Sequence, residues 1–177
     1  MKITLKGGNS QILETGQTVG AALQACGLSV GSEVLAAKVN GVVVDLSRPL
    51  TEDAVVEPVR FDTAEGREVY RHSSTHIMAQ AVKEVFPTAQ ITIGPALEDS
   101  FFYDFAFERP FTPEDLEKIE ARVREIIKRN LPVTRKELSK QEAIQFFQSR
   151  GEAYKVELIQ GFPDHEPISA YSQGEFV

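Results

Sequence analysis

Val34-Leu35-Ala36-Ala37-Lys38-Val39, then Asn40-Gly41, then Val42-Val43-Val44 is the stretch that decides how the first third of the chain folds. Two apolar, β-branched runs flank Asn-Gly. Both central residues of a type I′ turn need positive φ, so the pattern predicts a tight hairpin. Downstream, Ala54 to Val59 reads as a further strand. Upstream, Lys2 to Leu5 and Gln11 to Glu14 flank Gly7-Gly8-Asn9, a second hairpin loop. Thr18 can N-cap the apolar segment Val19 to Leu23, and Gly27 is a natural stop after Cys26. Strand, strand, helix, strand, strand, strand within residues 1–61 predicts a small mixed sheet with one helix packed on it.

Beyond Phe61 the pattern changes. Asp62-Thr63-Ala64-Glu65-Gly66 is small and polar and reads as a linker to a second domain at residues 67–177. Glu68 to Val85 is a helix that Pro87 ends. Gln90 to Ile93 and Ser100 to Phe107 read as strands, the second crowded with aromatics. Thr112-Pro113-Glu114-Asp115 combines a cap, a proline at the first helical position and acids in the first turn. That helix carries Leu116, Ile119, Val123, Ile126 and Ile127 at helical spacing, and its basic end complements the helix dipole. Val133 to Leu138 reads as a strand. Ser139, three residues before Glu142, opens a capping-box helix over Lys140 to Arg150, and Gly161 to Val177 reads as loop and short strand. The class is α+β, with helices on a mainly antiparallel sheet in the second domain.

The 177 residues are 42% apolar and 25% charged, with a net charge of −7, enough apolar side chains to fold rather than remain disordered. No apolar run approaches the roughly 20 residues that span a bilayer, and Met1 to Gly8 lacks the apolar core of a secretory signal. A cytoplasmic protein without membrane partners is expected. The acidic balance weighs against a general nucleic-acid surface, DNA included, while leaving room for a local basic patch. Cys26 alone can make neither an intramolecular disulfide nor a multi-cysteine zinc site, and its apolar neighbours predict a buried thiol.

Arg71-His72-Ser73-Ser74-Thr75-His76 carries the one local constellation with chemical promise. Four residues apart on a helix, His72 and His76 project from one face, separated by roughly 40° of rotation. Tyr70, Ile77, Met78, Ala81, Val82 and Val85 centre roughly 170° away, so the core is expected on the opposite face. The pair then faces solvent or lines a cleft. In a cleft, two neutral imidazoles can orient a water or a hydroxyl. They can also supply two zinc ligands, but a third and fourth are wanting, and Ser73 stands where a zincin helix has its glutamate. His165, in Phe162-Pro163-Asp164-His165-Glu166-Pro167, reads as a surface-loop residue. On the residues alone Tyr103 is a sheet residue, Lys155 a solvated lysine and Gly94-Pro95 a strand-ending turn.

Four ordered blocks carry a resemblance: Arg71 to Val82, Ile91-Thr92-Ile93-Gly94-Pro95, Glu98 to Phe105, and Ser172-Gln173-Gly174-Glu175-Phe176-Val177. Together they resemble the bacterial threonyl-tRNA synthetase family over essentially the whole chain, with the first sixty residues similar to its ubiquitin-like β-grasp module, TGS. Ser100 departs from the glycine common in the family pattern. The resemblance implies that the second domain is of the proofreading type, which hydrolyses serine wrongly attached to threonine tRNA. It places the editing histidines at His72 and His76, the lysine at Lys155 and the tyrosine at Tyr103, with Gly94 and Pro95 in the substrate wall. The partner implied is the aminoacylated 3′ end of that tRNA.

In the family a Cys-x-x-x-His block follows the Gly-Glu-Phe-Val equivalent, and here the sequence ends at Val177. The chain is expected to be an N-terminal portion of a larger ligase, its editing domain C-terminally incomplete. No cofactor or metal is expected in this portion. ATP, magnesium and zinc are implied only for the synthesis domain of the parent, which would pair as a homodimer through parts absent here. Aminoacylation by this chain is not expected, and deacylation is expected to be poor. A non-catalytic module that binds tRNA or protein, and a histidine-based metal protein, are the competing readings.

Overall fold

The computed structural model describes residues 1–92, 94, 97 and 100–177. The chain divides into two units, Met1–His72 and Ser73–Val177.

In the first unit the chain runs β1 (Lys2–Leu5), β2 (Ser10–Ile12), α1 (Val19–Ala25), β3 (Val34–Val39), β4 (Val42–Val44) and β5 (Ala54–Arg60). These strands form one five-stranded sheet in the order β2-β1-β5-β3-β4. The first and last strands lie side by side and parallel, Ile3 opposite Ala54 and Leu5 opposite Val56, while the other pairings are antiparallel. The expected hairpin forms at Asn40 and Gly41, both with positive φ. The Asn40 side-chain Oδ1 also accepts a hydrogen bond from the Val55 N–H at 2.9 Å. Thr18 caps α1 through its hydroxyl. Ile3, Val19, Ala22, Leu23, Ala37 and Val56 form the centre of a fully buried core between α1 and the sheet, with Cys26 beside them.

The expected linker is shorter than its composition predicts, because α2 (Ala64–Val85) begins inside it. Thr63 brackets the turn, its hydroxyl donating to the Arg60 carbonyl and accepting from the Gly66 N–H. The Arg60 carbonyl then lies so close to Gly66 that a Cβ there would overlap it.

In the second unit the remainder of α2 is followed by β6 (Gln90–Ile91), β7 (Phe105–Ala106), α3 (Pro113–Arg129), β8 (Val133–Leu138), α4 (Lys140–Ser149), α5 (Ala153–Gln160) and β9 (Ile168–Gln173). Two features differ from expectation. Among the described residues the strands make two separate antiparallel pairs, β6-β7 and β8-β9, in place of one sheet. The aromatic run supplies only Phe105–Ala106 as strand, because its rings gather instead of alternating. Phe86, Phe107 and Phe111 pack with centroids 5.2 to 5.5 Å apart, beside a core of Ala81, Val82, Ile119 and Ile126. A second core joins Leu138, Ala143, Phe147, Ile159 and Ile168 between the β8-β9 pair and α4-α5.

Thr112 and Asp115 form a capping box at the start of α3, and Arg109 closes on the Asp115 carboxylate. The Arg109 guanidinium, then the Thr112 N–H, hold this buried carboxyl well below the ordinary aspartate range. A carboxyl depressed in the folded state contributes stability above its unfolded pKa and loses that contribution as pH falls toward its folded one. Urea midpoints of the native chain should therefore exceed those of Asp115→Asn at neutral pH. The gap should close as pH drops below about 4. An equal gap at neutral pH and in strong acid would refute this role.

Candidate functional site

A buried carboxylate organises the polar centre of the second unit. Glu152 stands at the N-cap of α5, but its side chain makes no cap hydrogen bond, unlike Thr18, Thr112 and Ser139 at the starts of α1, α3 and α4. Its Oε1 lies 3.5 Å from the Nζ of Lys83 on α2. Lys83 also donates to the Ala89 carbonyl at 3.1 Å. Glu152 is 9% exposed, and among the described residues its Oε2 has no hydrogen-bond partner.

Lys155 is the third residue of α5, three positions after Glu152. Its side chain is not solvated, contrary to the reading from residue type alone. The ammonium donates to the Val177 carbonyl at 2.6 Å and lies over the rings of Phe147 and Phe176, 5.1 and 5.6 Å from their centroids. Burial pulls the Lys155 pKa below the usual lysine value. Glu152 opposes that pull, while Lys83 and Arg150 add to it. Here is an ammonium held in a partly apolar wall, where a hydrogen-bond donor acts more strongly than in water.

Tyr103 feels the charge of the same carboxylate. Its phenol is pushed up to about 12, chiefly by burial and then by Glu152. The ring stacks on Phe105 at 5.1 Å and lies flat against Gly94, where a Cβ would overlap it. Gly94 is thus a residue of close approach as well as a turn. Pro95, expected beside it, lies outside the described residues, as does Ile93.

His72 and His76 lie on α2 as expected, His72 exposed and His76 half-buried. The expectation that the core claims only the opposite face is corrected. Thr75, Ala79, Gln80, Ala81 and Val82 are all buried, so packing surrounds the helix there, and Tyr70, expected in the core, is 54% exposed against Phe61. The physical reason is size: small residues at Ala79 and Ala81 let neighbouring chain approach on more than one side. At 100° per residue His72, His76 and Lys83 fall within roughly 40° of one another, on one line of the helix. That line leads, seven residues after His76, to the lysine that holds Glu152.

Lys83 and Glu152 carry no distinctive mark in the sequence. The signals existed, in the helical spacing from His76 to Lys83 and in the acid three residues before Lys155. Neither is distinctive without the fold. His165 lies instead on an open recess of about 320 Å³ with Glu137, Ser139, Asp164 and Glu166, where Asp164 is already paired with Lys140 at 2.8 Å. Among the described residues no three His, Cys, Asp or Glu side chains converge as a ligand set for a metal. No described helix is long and apolar enough to cross a membrane.

Comparison with known proteins bears on the first unit and on the chain as a whole. Residues 1–59 match the TGS domain family. The chain is 49% identical over 175 residues to the threonine–tRNA ligase of Symbiobacterium thermophilum, covering 99% of this chain and 27% of that protein. It is 47% identical to that of Desulforamulus reducens, covering 99% of this chain and 28% of the relative. With the ligase of Acidithiobacillus ferrooxidans the identity is 50%, over 92% of this chain and 25% of the relative. The chain thus spans about a quarter of the length of these relatives. End-to-end similarity at this level, together with the TGS domain, makes the chain a homologue of the N-terminal region of the bacterial threonyl-tRNA synthetases.

Proposed function

We propose that the second unit is an ester-hydrolysing proofreading module, acting on serine misattached to the 3′ end of threonine tRNA. The relatives are named for joining threonine to tRNA. A pocket that accepts threonine rejects serine poorly, because one missing methyl is worth only about 1–3 kcal/mol. A separate site that removes the error resolves this. Its reaction is attack of water on the aminoacyl carbonyl, collapse of the tetrahedral oxyanion, and departure of the ribose oxygen with a proton.

The observation that carries the reading is the Lys155 ammonium, set in a partly desolvated wall with Tyr103 and Glu152 close by. A fixed cationic donor in such surroundings stabilises a developing oxyanion. In this reading His76 has the donor and acceptor pattern to orient the water or the ribose hydroxyl. Tyr103, fixed on Gly94, forms a wall against the side chain of the bound amino acid. Attachment of threonine to tRNA, with the ATP it requires, falls in this reading to the rest of the ligase.

The test is binding of serine linked by a stable amide to 3′-amino-3′-deoxyadenosine, followed by NMR of the chain. Resonances of His76, Tyr103 and Lys155 should shift on titration. His76→Ala should weaken binding about tenfold, the worth of one hydrogen bond to a charged or strongly polar group. Shifts confined to the five-stranded sheet, or no shift at millimolar ligand, would overturn the proposal.

A further inference from the structure

We propose that Glu152 is the positioning residue of this site: one buried carboxylate, reaching from the start of α5 to Lys83 on α2, that compensates the charge of both Lys83 and Lys155. The proposal rests on the reading of Lys155 as the substrate-facing cation.

The geometry has three parts. Glu152 occupies the N-cap of α5 without capping it, so the first turn has no side-chain cap. An uncapped start costs stability, so the carboxylate is better explained by what it faces. Second, it faces Lys83 at 3.5 Å, and Lys155, three residues further on, lies near enough for the carboxylate to favour its charged form. Arg150, just past the end of α4, adds a third positive charge nearby, partly drawn off over the Phe146 ring at 4.6 Å. Third, the carboxylate is nine-tenths buried, and one of its oxygens is unpartnered among the described residues. A buried charge is tolerated where opposite charges surround it.

Without this carboxylate three cations would crowd a partly desolvated space, and the most enclosed of them would hold its proton less tightly. That cation is Lys155, fixed by the Val177 carbonyl and two aromatic faces. A neutral amine there is a weaker oxyanion donor. Glu152 therefore acts on the reaction through Lys155, without touching substrate.

Titration of the Lys155 side chain, followed through its ¹³Cε resonance in the intact chain, tests this directly. The resonance is assigned by its loss in Lys155→Arg. In Glu152→Gln, which keeps the shape of the side chain, the Lys155 midpoint should move down. In Lys83→Met, which removes a like charge and leaves the carboxylate to Lys155, it should move up. Glu152→Asp should lie between native and Glu152→Gln. A Lys155 midpoint that stays put or rises in folded Glu152→Gln overturns the proposal, as does a fall in Lys83→Met. A merely structural role for Glu152 would lower urea midpoints without these opposite shifts. Because no ligand is added, failure here leaves the hydrolytic reading standing, and failure of the adenosine analogue to bind leaves this titration interpretable.

Discussion

Gly66→Ala is expected to destabilise the first unit by about 3 kcal/mol, the upper end of the range for forcing an extra methyl into a packed site. The obstruction is the Arg60 carbonyl, a backbone atom at the end of β5, which has no rotamer by which to retreat. Thr63 pins both sides of the turn, donating to Arg60 and accepting from Gly66, so relaxation must break one of those bonds or shift the start of α2. Urea unfolding followed by fluorescence of a reporter placed in the five-stranded sheet gives the measurement. A loss under about 0.5 kcal/mol, typical of an unobtrusive surface substitution, would show that the turn opens freely.

Gly94→Ala carries the second large effect, on the site instead of the fold. A methyl at Gly94 overlaps the Tyr103 ring, which must then leave its stack on Phe105. Exposed to water and drawn away from Glu152, the phenol should titrate near the ordinary value of about 10 in place of about 12. The ¹³Cζ resonance of Tyr103 reports it. Affinity for the seryl-adenosine amide should fall at least about tenfold, because the wall that fits the amino-acid side chain is displaced. An unshifted titration with unchanged affinity would mean that Gly94 and Tyr103 are not in the contact described.

Where the sequence speaks through local chemistry it reads well. Asn40-Gly41 places β3 and β4 to the residue, because a two-residue loop with positive φ at both positions leaves no other register. Thr112 and Ser139 announce α3 and α4, since each capping box sets a donor and an acceptor three residues apart. The resemblance was equally legible, from blocks whose order and spacing no single motif could imitate.

Elsewhere the signal was local and the outcome was not. The helix α5 carries no start sign, because Glu152 stands at its N-cap where Ser, Thr, Asp or Asn would announce it. Lys155 was unremarkable on the residues alone, since its burial depends on Phe147 from α4 and on Phe176 and Val177 beyond β9. The helical period of α2 located both histidines but misjudged Tyr70. Small side chains further along the helix let packing close around it, and periodicity weighs hydrophobicity without size. The aromatic run has the composition of a strand, whereas ring packing with Phe86 and Phe111 governs it.

The hairpin at Asn40-Gly41 has a consequence for how the molecule ages. In a loose chain this dipeptide is the one most open to spontaneous deamidation, as the glycine nitrogen closes on the asparagine side chain to form a succinimide. Here the hydrogen bond from the Val55 N–H fixes the Asn40 side chain, and both residues are held in left-handed backbone, so the glycine nitrogen is not free to swing onto the amide carbon. Chemical wear at this position therefore proceeds through molecules whose sheet has opened, and the slow appearance of aspartate or isoaspartate at residue 40 keeps a record of how often it does.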